Sequence, residues 1–262
     1  MTTVLEKICD KKREHVNHVK QKRTQKEVEK RIKKDLPQFQ FEKALDLKKS
    51  DNKISIIAEV KKASPSKGVI RENFDWKQIA QNYEASGATC ISCLTDTPYF
   101  QGQDQYLIDV KSVTSIPVLR KDFMIDLYQI YESRMLGADA ILIIMAAVDD
   151  NLARDMYDLA TQLGMSALFE VHDELELERA LKLSPKILGV NNRNLKTLDV
   201  SLDTSKKLID LIPKDILRIS ESGISSQEEI KELHQMGYNG FLIGESLMNK
   251  QSESSALSSL LK

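Results

Sequence analysis

The chain has 262 residues, of which 41% are hydrophobic and 29% are charged, and its formal net charge is −1. This composition is typical of a soluble globular protein and excludes a disordered or fibrous class. The balanced charge gives no reason to expect nucleic acid or an anionic membrane as the main partner. At this length the chain forms either two modest domains or one domain the size of an α/β barrel.

The positive charges are concentrated near the N-terminus. Residues 1–50 hold fifteen Lys and Arg residues against eight Asp and Glu, which leaves the rest of the chain with eight excess negative charges. We interpret residues 1–50 as a helical extension packed on a catalytic body at 51–262, within a single domain overall. An RNA-binding arm is the alternative, and it is disfavoured because both charge signs are mixed and no aromatic residues interleave with them.

No membrane span or disulfide framework is predicted. The longest apolar run, Ala140–Val148, has nine residues, whereas a transmembrane helix needs about 20. Met1–Arg13 lacks a continuous hydrophobic stretch, so no secretory signal is predicted and we expect a cytoplasmic protein. Cys90 and Cys93 form a C-x-x-C inside a strand-like run, where residues three apart face opposite sides, and we therefore predict neither a redox pair nor a metal site.

Short apolar runs recur from residue 54 onward and predict strands buried on both faces, as in a parallel sheet. The eight runs are Ile54–Val60, Thr89–Leu94, Pro117–Arg120, Ala140–Met145, Ala167–Val171, Ile187–Val190, Ile216–Ile219 and Gly240–Ile243.

Amphipathic stretches with helix start and stop patterns lie between these runs. Capping-box spacings pair Asp173 with Glu176 and Ser225 with Glu228. Glycines typical of helix C-termini recur at separations close to multiples of about 25 residues, a common size for one βα unit. They are Gly87, Gly137, Gly164 and Gly237. We therefore predict a closed (β/α)8 TIM barrel with an N-terminal helical extension. A doubly wound open sheet is the alternative, and it lacks a G-x-G-x-x-G after the first strand.

Charged and polar residues occur where the predicted strands end, which in a barrel is the site of chemistry. Several charges converging on one barrel mouth would be costly to desolvate unless they serve a ligand or a reaction. They lie in Glu59-Val60-Lys61, Arg120-Lys121-Asp122, Glu170, Asn191-Asn192-Arg193 and Ser220-Glu221-Ser222.

Two glycine loops predict a phosphate site. Ser222-Gly223-Ile224-Ser225 follows the seventh strand and Ile243-Gly244-Glu245-Ser246 follows the eighth, each just before a helix whose backbone amides and dipole favour an anion. The long first loop, from Lys61 toward Asn73, combines lysines and serines that suit an anionic ligand. A phosphorylated small molecule is therefore the expected substrate.

In these motifs the sequence resembles the indole-3-glycerol phosphate synthase family. The resemblance extends into Leu5-Glu6-Lys7-Ile8, so it covers nearly the whole chain, and Asn194 is a small departure where the family pattern suggests Asp. The matching motifs are Ile57-Ala58-Glu59-Val60-Lys61, Ser64-Pro65-Ser66, Leu94-Thr95-Asp96, Tyr99-Phe100-Gln101-Gly102, Arg120-Lys121-Asp122-Phe123, Glu170-Val171, Asn191-Asn192-Arg193, Ser220-Glu221-Ser222-Gly223 and Phe241 to Met248.

The resemblance implies a reaction of tryptophan biosynthesis. In it, 1-(2-carboxyphenylamino)-1-deoxyribulose 5-phosphate is closed, decarboxylated and dehydrated to indole-3-glycerol phosphate, and neither a metal nor an organic cofactor is implied. Lys121 is implied to be the general acid that protonates the carbonyl oxygen, and Glu170 the general base. Glu59 and Lys61 are implied to assist the dehydration and to hold the substrate's carboxylate and phosphate.

The resemblance also implies a set of binding and positioning residues. We expect Lys121 to lie among cations and partly desolvated, so that it loses a proton easily near neutral pH. The residues leave open which of Lys61 and Lys121 acts in each proton transfer. The implied positioning residues are Asn191, Arg193, Glu221 and Ser222, and the implied substrate- and phosphate-binding residues include Ser64, Phe100, Gly223, Gly244 and Glu245.

Two other functional classes are considered. A sugar-phosphate isomerase or epimerase would share the glycine loops, but it does not need Glu59-Val60-Lys61 beside Lys121-Asp122. A non-catalytic scaffold would have lost the charges at its barrel mouth, whereas this sequence retains them. Association with other enzymes of tryptophan biosynthesis is left open.

Overall fold

Eight parallel strands close into a barrel in the computed structural model, which describes residues 3–195, 197–248 and 252–261. This confirms the predicted (β/α)8 barrel over the open sheet, and the predicted strand ends differ from the observed ones by at most two residues. A short hairpin, β2 (Ala63–Ser64) and β3 (Gly68–Val69), stands in the first loop. The barrel strands are β1 (Ser55–Val60), β4 (Cys90–Leu94), β5 (Val118–Lys121), β6 (Ala140–Ile144), β7 (Ser166–Val171), β8 (Ile187–Asn191), β9 (Leu217–Glu221) and β10 (Gly240–Ile243).

Helices follow the barrel strands and form the outer layer. None of the helices in the described parts of the chain is long and apolar enough to cross a membrane. The helices are α1 (Val4–Lys22), α2 (Gln25–Arg31), α3 (Gln40–Ser50), α4 (Trp76–Ala85), α5 (Thr97–Phe100), α6 (Asp104–Val113), α7 (Leu127–Leu136), α8 (Asp150–Gln162), α9 (Glu174–Leu181), α10 (Asp203–Leu208), α11 (Gln227–Met236), α12 (Glu245–Met248) and α13 (Glu253–Leu261).

The continuous apolar runs are explained by the two faces of each strand. On β6, Leu142 and Ile144 belong to the cluster inside the barrel, while Ile141 and Ile143 belong to the cluster between strands and helices. Successive side chains on a strand point to opposite faces, so both faces of these strands are apolar. The same alternation sends Cys90 inward and Cys93 outward, and both thiols are free.

Most of the predicted helix ends are confirmed. The four glycines expected at helix C-termini all have positive φ angles, which favour glycine. Asp173 caps α9 as predicted, accepting from the backbone N–H of Glu176. The capping box predicted at Ser225 and Glu228 is wrong by one residue, because Ser226 and Glu229 form it. The pairs Ser225-Ser226 and Glu228-Glu229 satisfy the same spacing in two registers, and the sequence pattern cannot distinguish them.

The N-terminal extension contacts the barrel at both ends. In α1, Ile8 belongs to the apolar cluster inside the barrel and lines the cavity at the C-terminal ends of the strands. In α3, Phe41 and Leu45 are buried in the same cluster, and the backbone N–H of Glu42 donates to Ser166 at the start of β7. Helix α3 therefore closes the N-terminal end of the barrel. The division at residue 50 stays a prediction, and α3 contributes to the core of the barrel itself.

Lys12 connects α1 to the barrel through a buried ion-pair network. Its side chain is 4% exposed, and its Nζ lies 2.7 Å from Asp96 Oδ1 and 2.6 Å from Asp122 Oδ1. Burial by itself would lower the pKa of Lys12, but the two carboxylates outweigh burial and raise that pKa. Asp96 follows β4 and Asp122 follows β5, so Lys12 fixes α1 to two adjacent strand ends.

We expect Lys12→Met to destabilise the protein by about 3–5 kcal/mol, because it leaves Asp96 without its buried cation and removes one of the two cations near Asp122. The free energy of unfolding, measured by urea denaturation, checks this value. The matched control is Lys11→Met, since Lys11 pairs with Glu14 on the exposed face of the same helix. We expect that control to change stability by less than about 0.5 kcal/mol. Equal stability of the two variants would contradict an anchoring role for Lys12.

Candidate active site

A cavity of about 610 Å³ opens at the C-terminal ends of the barrel strands. Helix α1 contributes an apolar part of its wall through Val4, Leu5 and Ile8. All thirteen residues that the sequence marked as catalytic or binding residues line this one cavity. They are Glu59, Lys61, Ser64, Phe100, Lys121, Glu170, Asn191, Arg193, Glu221, Ser222, Gly223, Gly244 and Glu245.

Lys121 lies between two buried carboxylates. Its Nζ is 2.9 Å from Glu170 Oε2 and 2.7 Å from Glu221 Oε2, and the side chains of the two glutamates are 2% and 1% exposed. The expectation that Lys121 lies among cations is therefore wrong. Burial would lower the pKa of Lys121, but Glu170, Glu221 and Glu59 outweigh burial and raise it well above its usual value. The three strands that carry these groups meet only when the barrel closes.

The two carboxylates that contact Lys121 differ in their tendency to bind a proton. Burial would raise the pKa of Glu170, but the charges of Lys121 and His172 hold it well below its usual range. Burial raises the pKa of Glu221 to about 7, with Lys121 opposing the rise and Glu170 adding to it. Lys121, Glu170 and Glu221 therefore titrate together. Glu170 is a stable anion, Lys121 is a protonated amine, and Glu221 is a carboxyl that exchanges a proton near neutral pH.

Glu59 and Lys61 form a second ion pair on the same side of β1, as the two-residue spacing predicted. Gly244 leaves the space for this pair, because a Cβ atom at that position would collide with the Glu59 carboxylate. The sequence marked Gly244 only as part of a phosphate loop. The space that Gly244 leaves for Glu59 depends on the register between β1 and β10, the first and last barrel strands, which pair to close the barrel.

Cationic and hydroxyl groups gather around Glu245 in the same cavity. Arg193 Nη2 lies 3.4 Å from Glu245 Oε2, and Arg193 Nη1 lies 3.4 Å from Ser66 Oγ. The backbone N–H of Arg193 donates to Asn191 Oδ1 at 3.0 Å. Lys67 Nζ lies 3.7 Å from Glu245 Oε1. Arg193 thus joins the first loop, the loop after β8 and α12.

The loop after β9 has two consecutive residues in the left-handed backbone conformation. Ser222 and Gly223 have φ angles of +65° and +81°. A Cβ atom at Gly223 would collide with Val200. The left-handed conformation and the crowding together favour glycine, which leaves the backbone at this position accessible from the cavity.

Arg120 does not belong to the cavity, although the sequence grouped it with Lys121. It is buried on the outer side of β5, with its Nη2 2.9 Å from Glu132 Oε2 and 2.8 Å from Asp104 Oδ1. Adjacent strand residues face opposite sides, so Lys121 points inward and Arg120 points to the helices.

Sequence reasoning missed His172. Its ring lies behind Glu170, with Nε2 3.3 Å from Glu170 Oε1 and Nδ1 2.9 Å from Glu176 Oε2. The pattern that could have found it is the same as in Glu59 and Lys61: a carboxylate at the end of a strand and a basic side chain two residues later.

Comparisons with known proteins agree with this geometry. The family model for indole-3-glycerol phosphate synthase matches residues 5–260. The chain is 47% identical to an indole-3-glycerol phosphate synthase from Azospirillum brasilense over 100% of both chains. It is 45% identical to one from a Polaromonas species over 99% of this chain and 98% of the relative.

Solved structures show the same fold at low sequence identity. A thiamine phosphate pyrophosphorylase from Pyrococcus furiosus superposes with a TM-score of 0.58 at 14% identity, covering 79% of this chain and 92% of that one. KGPDC from Streptococcus mutans superposes with a TM-score of 0.59 at 10% identity, covering 78% and 94%. At such identities the likeness concerns the barrel alone. The full-length match to the family model and to its relatives shows that the chain belongs to the indole-3-glycerol phosphate synthase family, whose members are carboxy-lyases of tryptophan biosynthesis.

Proposed function

We propose that this chain converts 1-(2-carboxyphenylamino)-1-deoxyribulose 5-phosphate to indole-3-glycerol phosphate, CO₂ and water with the thirteen cavity residues in the roles given below. The observation that carries the proposal is Lys121, held between the buried carboxylates of Glu170 and Glu221 in a cavity that also contains Arg193, Lys61 and Lys67. Family membership favours this reaction over the isomerase, epimerase and scaffold alternatives. A cytoplasmic location, and the absence of nucleic-acid and membrane partners, remain predictions.

Lys121 acts as the general acid of ring closure. The ring carbon that bears the carboxylate attacks the ketose carbonyl carbon, and the carbonyl oxygen takes a proton from Lys121 Nζ. The carboxylate then leaves as CO₂, which restores the aromatic ring. The two glutamates keep Lys121 protonated until substrate arrives, and both hold its ammonium group in place.

Glu59, Lys61 and Glu170 complete the dehydration. The new hydroxyl leaves as water with a proton from Lys61, which the Glu59 carboxylate orients. The methylene carbon beside the nitrogen gives up a proton to Glu170, and the double bond of the indole forms. Glu170 suits this role because its neighbours hold it ionised.

The remaining residues bind the two ends of the substrate. Arg193, Ser64 and the Gly223 and Gly244 loops surround the phosphate. Glu245 orients the Arg193 side chain, and Asn191 fixes the backbone of Arg193 by accepting its N–H. Ser222 contributes to the same loop. The aromatic ring faces Phe100 and the apolar residues of α1. Because α1 packs against the aromatic end of the substrate in this arrangement, the N-terminal extension is part of the active site.

Lys121→Met should lower kcat by at least about 10²- to 10⁴-fold while substrate still binds, because the variant has no proton to donate. Indole fluorescence measures turnover, and isothermal titration measures binding. Lys121→Arg is the matched variant, since it keeps a cation between the two glutamates but does not release a proton near neutral pH. We expect it to be inactive as well. A Lys121→Arg enzyme with at least a third of wild-type kcat would falsify the acid role.

Replacement of Glu170 and of Glu221 by glutamine should have different effects on kcat. Glu170→Gln removes an anion that is ionised throughout the working pH range, so we expect kcat to fall by about 10²-fold or more from pH 6 to 8. Glu221→Gln imitates the protonated form, which burial favours at this position by raising the pKa of Glu221. Its loss should therefore be small below pH 6 and should grow above pH 7. Equal, pH-independent losses in the two variants would contradict the assignment.

Gly223→Val should raise KM about tenfold or more and change kcat by less than about threefold, because the side chain forces the loop away from the phosphate. Inorganic phosphate should compete with substrate in the wild-type enzyme and bind weakly to the variant. Gly87→Ala controls for the cost of a positive φ angle, since Gly87 lies at the end of α4 and does not line the cavity. Wild-type phosphate affinity in Gly223→Val would remove this loop from the binding site.

A further inference from the structure

Glu170 is contacted by cations from two sides. Lys121 faces it from the cavity, and His172, which does not line the cavity, faces it from behind. Glu170 and His172 lie two residues apart at the end of β7 and therefore share one side of the chain. The His172 side chain is 11% exposed, and its Nε2 is 3.3 Å from Glu170 Oε1.

The first turn of α9 fixes the other side of the imidazole ring. Glu176 Oε2 lies 2.9 Å from His172 Nδ1 and also accepts the backbone N–H of His172 at 2.9 Å. Both ring nitrogens thus lie within 3.3 Å of a carboxylate oxygen, Nδ1 in a hydrogen bond and Nε2 in an ion pair without one. Only the imidazolium form carries a proton on both nitrogens, so this arrangement favours the cation. Burial would lower the pKa of His172, but Glu170 and Glu176 outweigh burial and raise it to about 10.

The charge next to Glu170 changes during the proposed reaction. When Lys121 gives its proton to the substrate, it becomes neutral, and Glu170 loses one of its two cations. Glu221 from β9 and Glu59 from β1 remain close and are acidic, so neither can replace that charge. His172 is then the basic group still in contact with the carboxylate among the described residues.

We infer that His172 is a positioning residue that keeps the Glu170 carboxylate ionised and fixed in orientation while Lys121 is without its proton. The inference rests on the proposed role of Glu170 as general base. His172 acts only through Glu170, because it does not line the cavity. Glu176 in turn holds the imidazole ring of His172. A series of contacts therefore links the first turn of α9 to Glu170.

Two substitutions of His172 separate its two contacts. The side-chain nitrogen of asparagine reaches about as far as Nδ1 and that of glutamine about as far as Nε2. His172→Asn should therefore lose the contact with Glu170 and lower kcat about tenfold. His172→Gln should keep a neutral donor there and lower kcat about threefold. KM should stay within about twofold in both variants, because His172 does not face the substrate.

The pH dependence of kcat tests whether the positive charge of His172 acts on Glu170. Loss of the imidazolium removes a cation from beside Glu170, so Glu170 and Glu221, which share Lys121, bind protons more readily. Activity is lost as pH falls through the pKa values of these two groups. The acid limb of kcat in His172→Asn should therefore move to higher pH, by about one unit. A purely structural loss would lower kcat without moving the limb.

Two controls complete the experiment. His234→Asn removes a histidine whose Nδ1 contacts Tyr238 O at 2.9 Å, away from the cavity, and it should leave kcat within about twofold of wild type. In the wild-type enzyme, NMR titration of His172 should give a midpoint near pH 10, and Glu176→Gln should lower it by about one unit. This NMR result is informative even if His172→Asn does not fold.

The outcomes are distinguishable. Wild-type kcat and an unmoved acid limb in His172→Asn, or an NMR midpoint for His172 below pH 7, would overturn the inference. If Glu170→Gln retains activity, the proposed base role of Glu170 fails. If Glu170→Gln is inactive while the His172 variants behave as wild type, only the role of His172 is rejected.

Discussion

The active site depends on one buried charge, the ammonium group of Lys121. A lysine at this depth is stable as a cation only if carboxylates replace the water it has lost. Glu170 and Glu221 provide that replacement from two other strands. Because strand hydrogen bonds fix the backbone at all three positions, the distances among these groups are set by the barrel and not by side-chain flexibility.

The position of the N-terminal extension depends on the same strand end. Asp122 directly follows Lys121, and it forms an ion pair with Lys12 of α1. Helix α1 is thus anchored one residue from the group that we propose as general acid. At the opposite end, Phe41 and Leu45 of α3 fill the bottom of the barrel. The extension therefore closes the barrel at one end and forms a wall of the active site at the other.

A recurring arrangement connects the strand ends to proton chemistry. At the ends of β1 and β7, a buried carboxylate is followed two residues later by a basic side chain, as in Glu59 with Lys61 and Glu170 with His172. At Glu170, the cations of His172 and Lys121 oppose the rise in pKa that burial would impose on the carboxylate. Glu221 lacks such a partner on its own strand end and shares Lys121 with Glu170, and its pKa rises to about 7.

Local patterns in the sequence were enough to predict the eight strands, their alternation with helices and the set of residues at the barrel mouth. Apolar runs and alternating faces are local properties, and parallel strands bring their C-terminal ends to one side. The three-dimensional structure was needed to show that Lys121 lies among anions, that Gly244 makes room for Glu59 and that α3 closes the far end of the barrel. These features depend on contacts between residues 49 to 185 positions apart, which strand register and barrel closure fix, and no local pattern in the sequence encodes them.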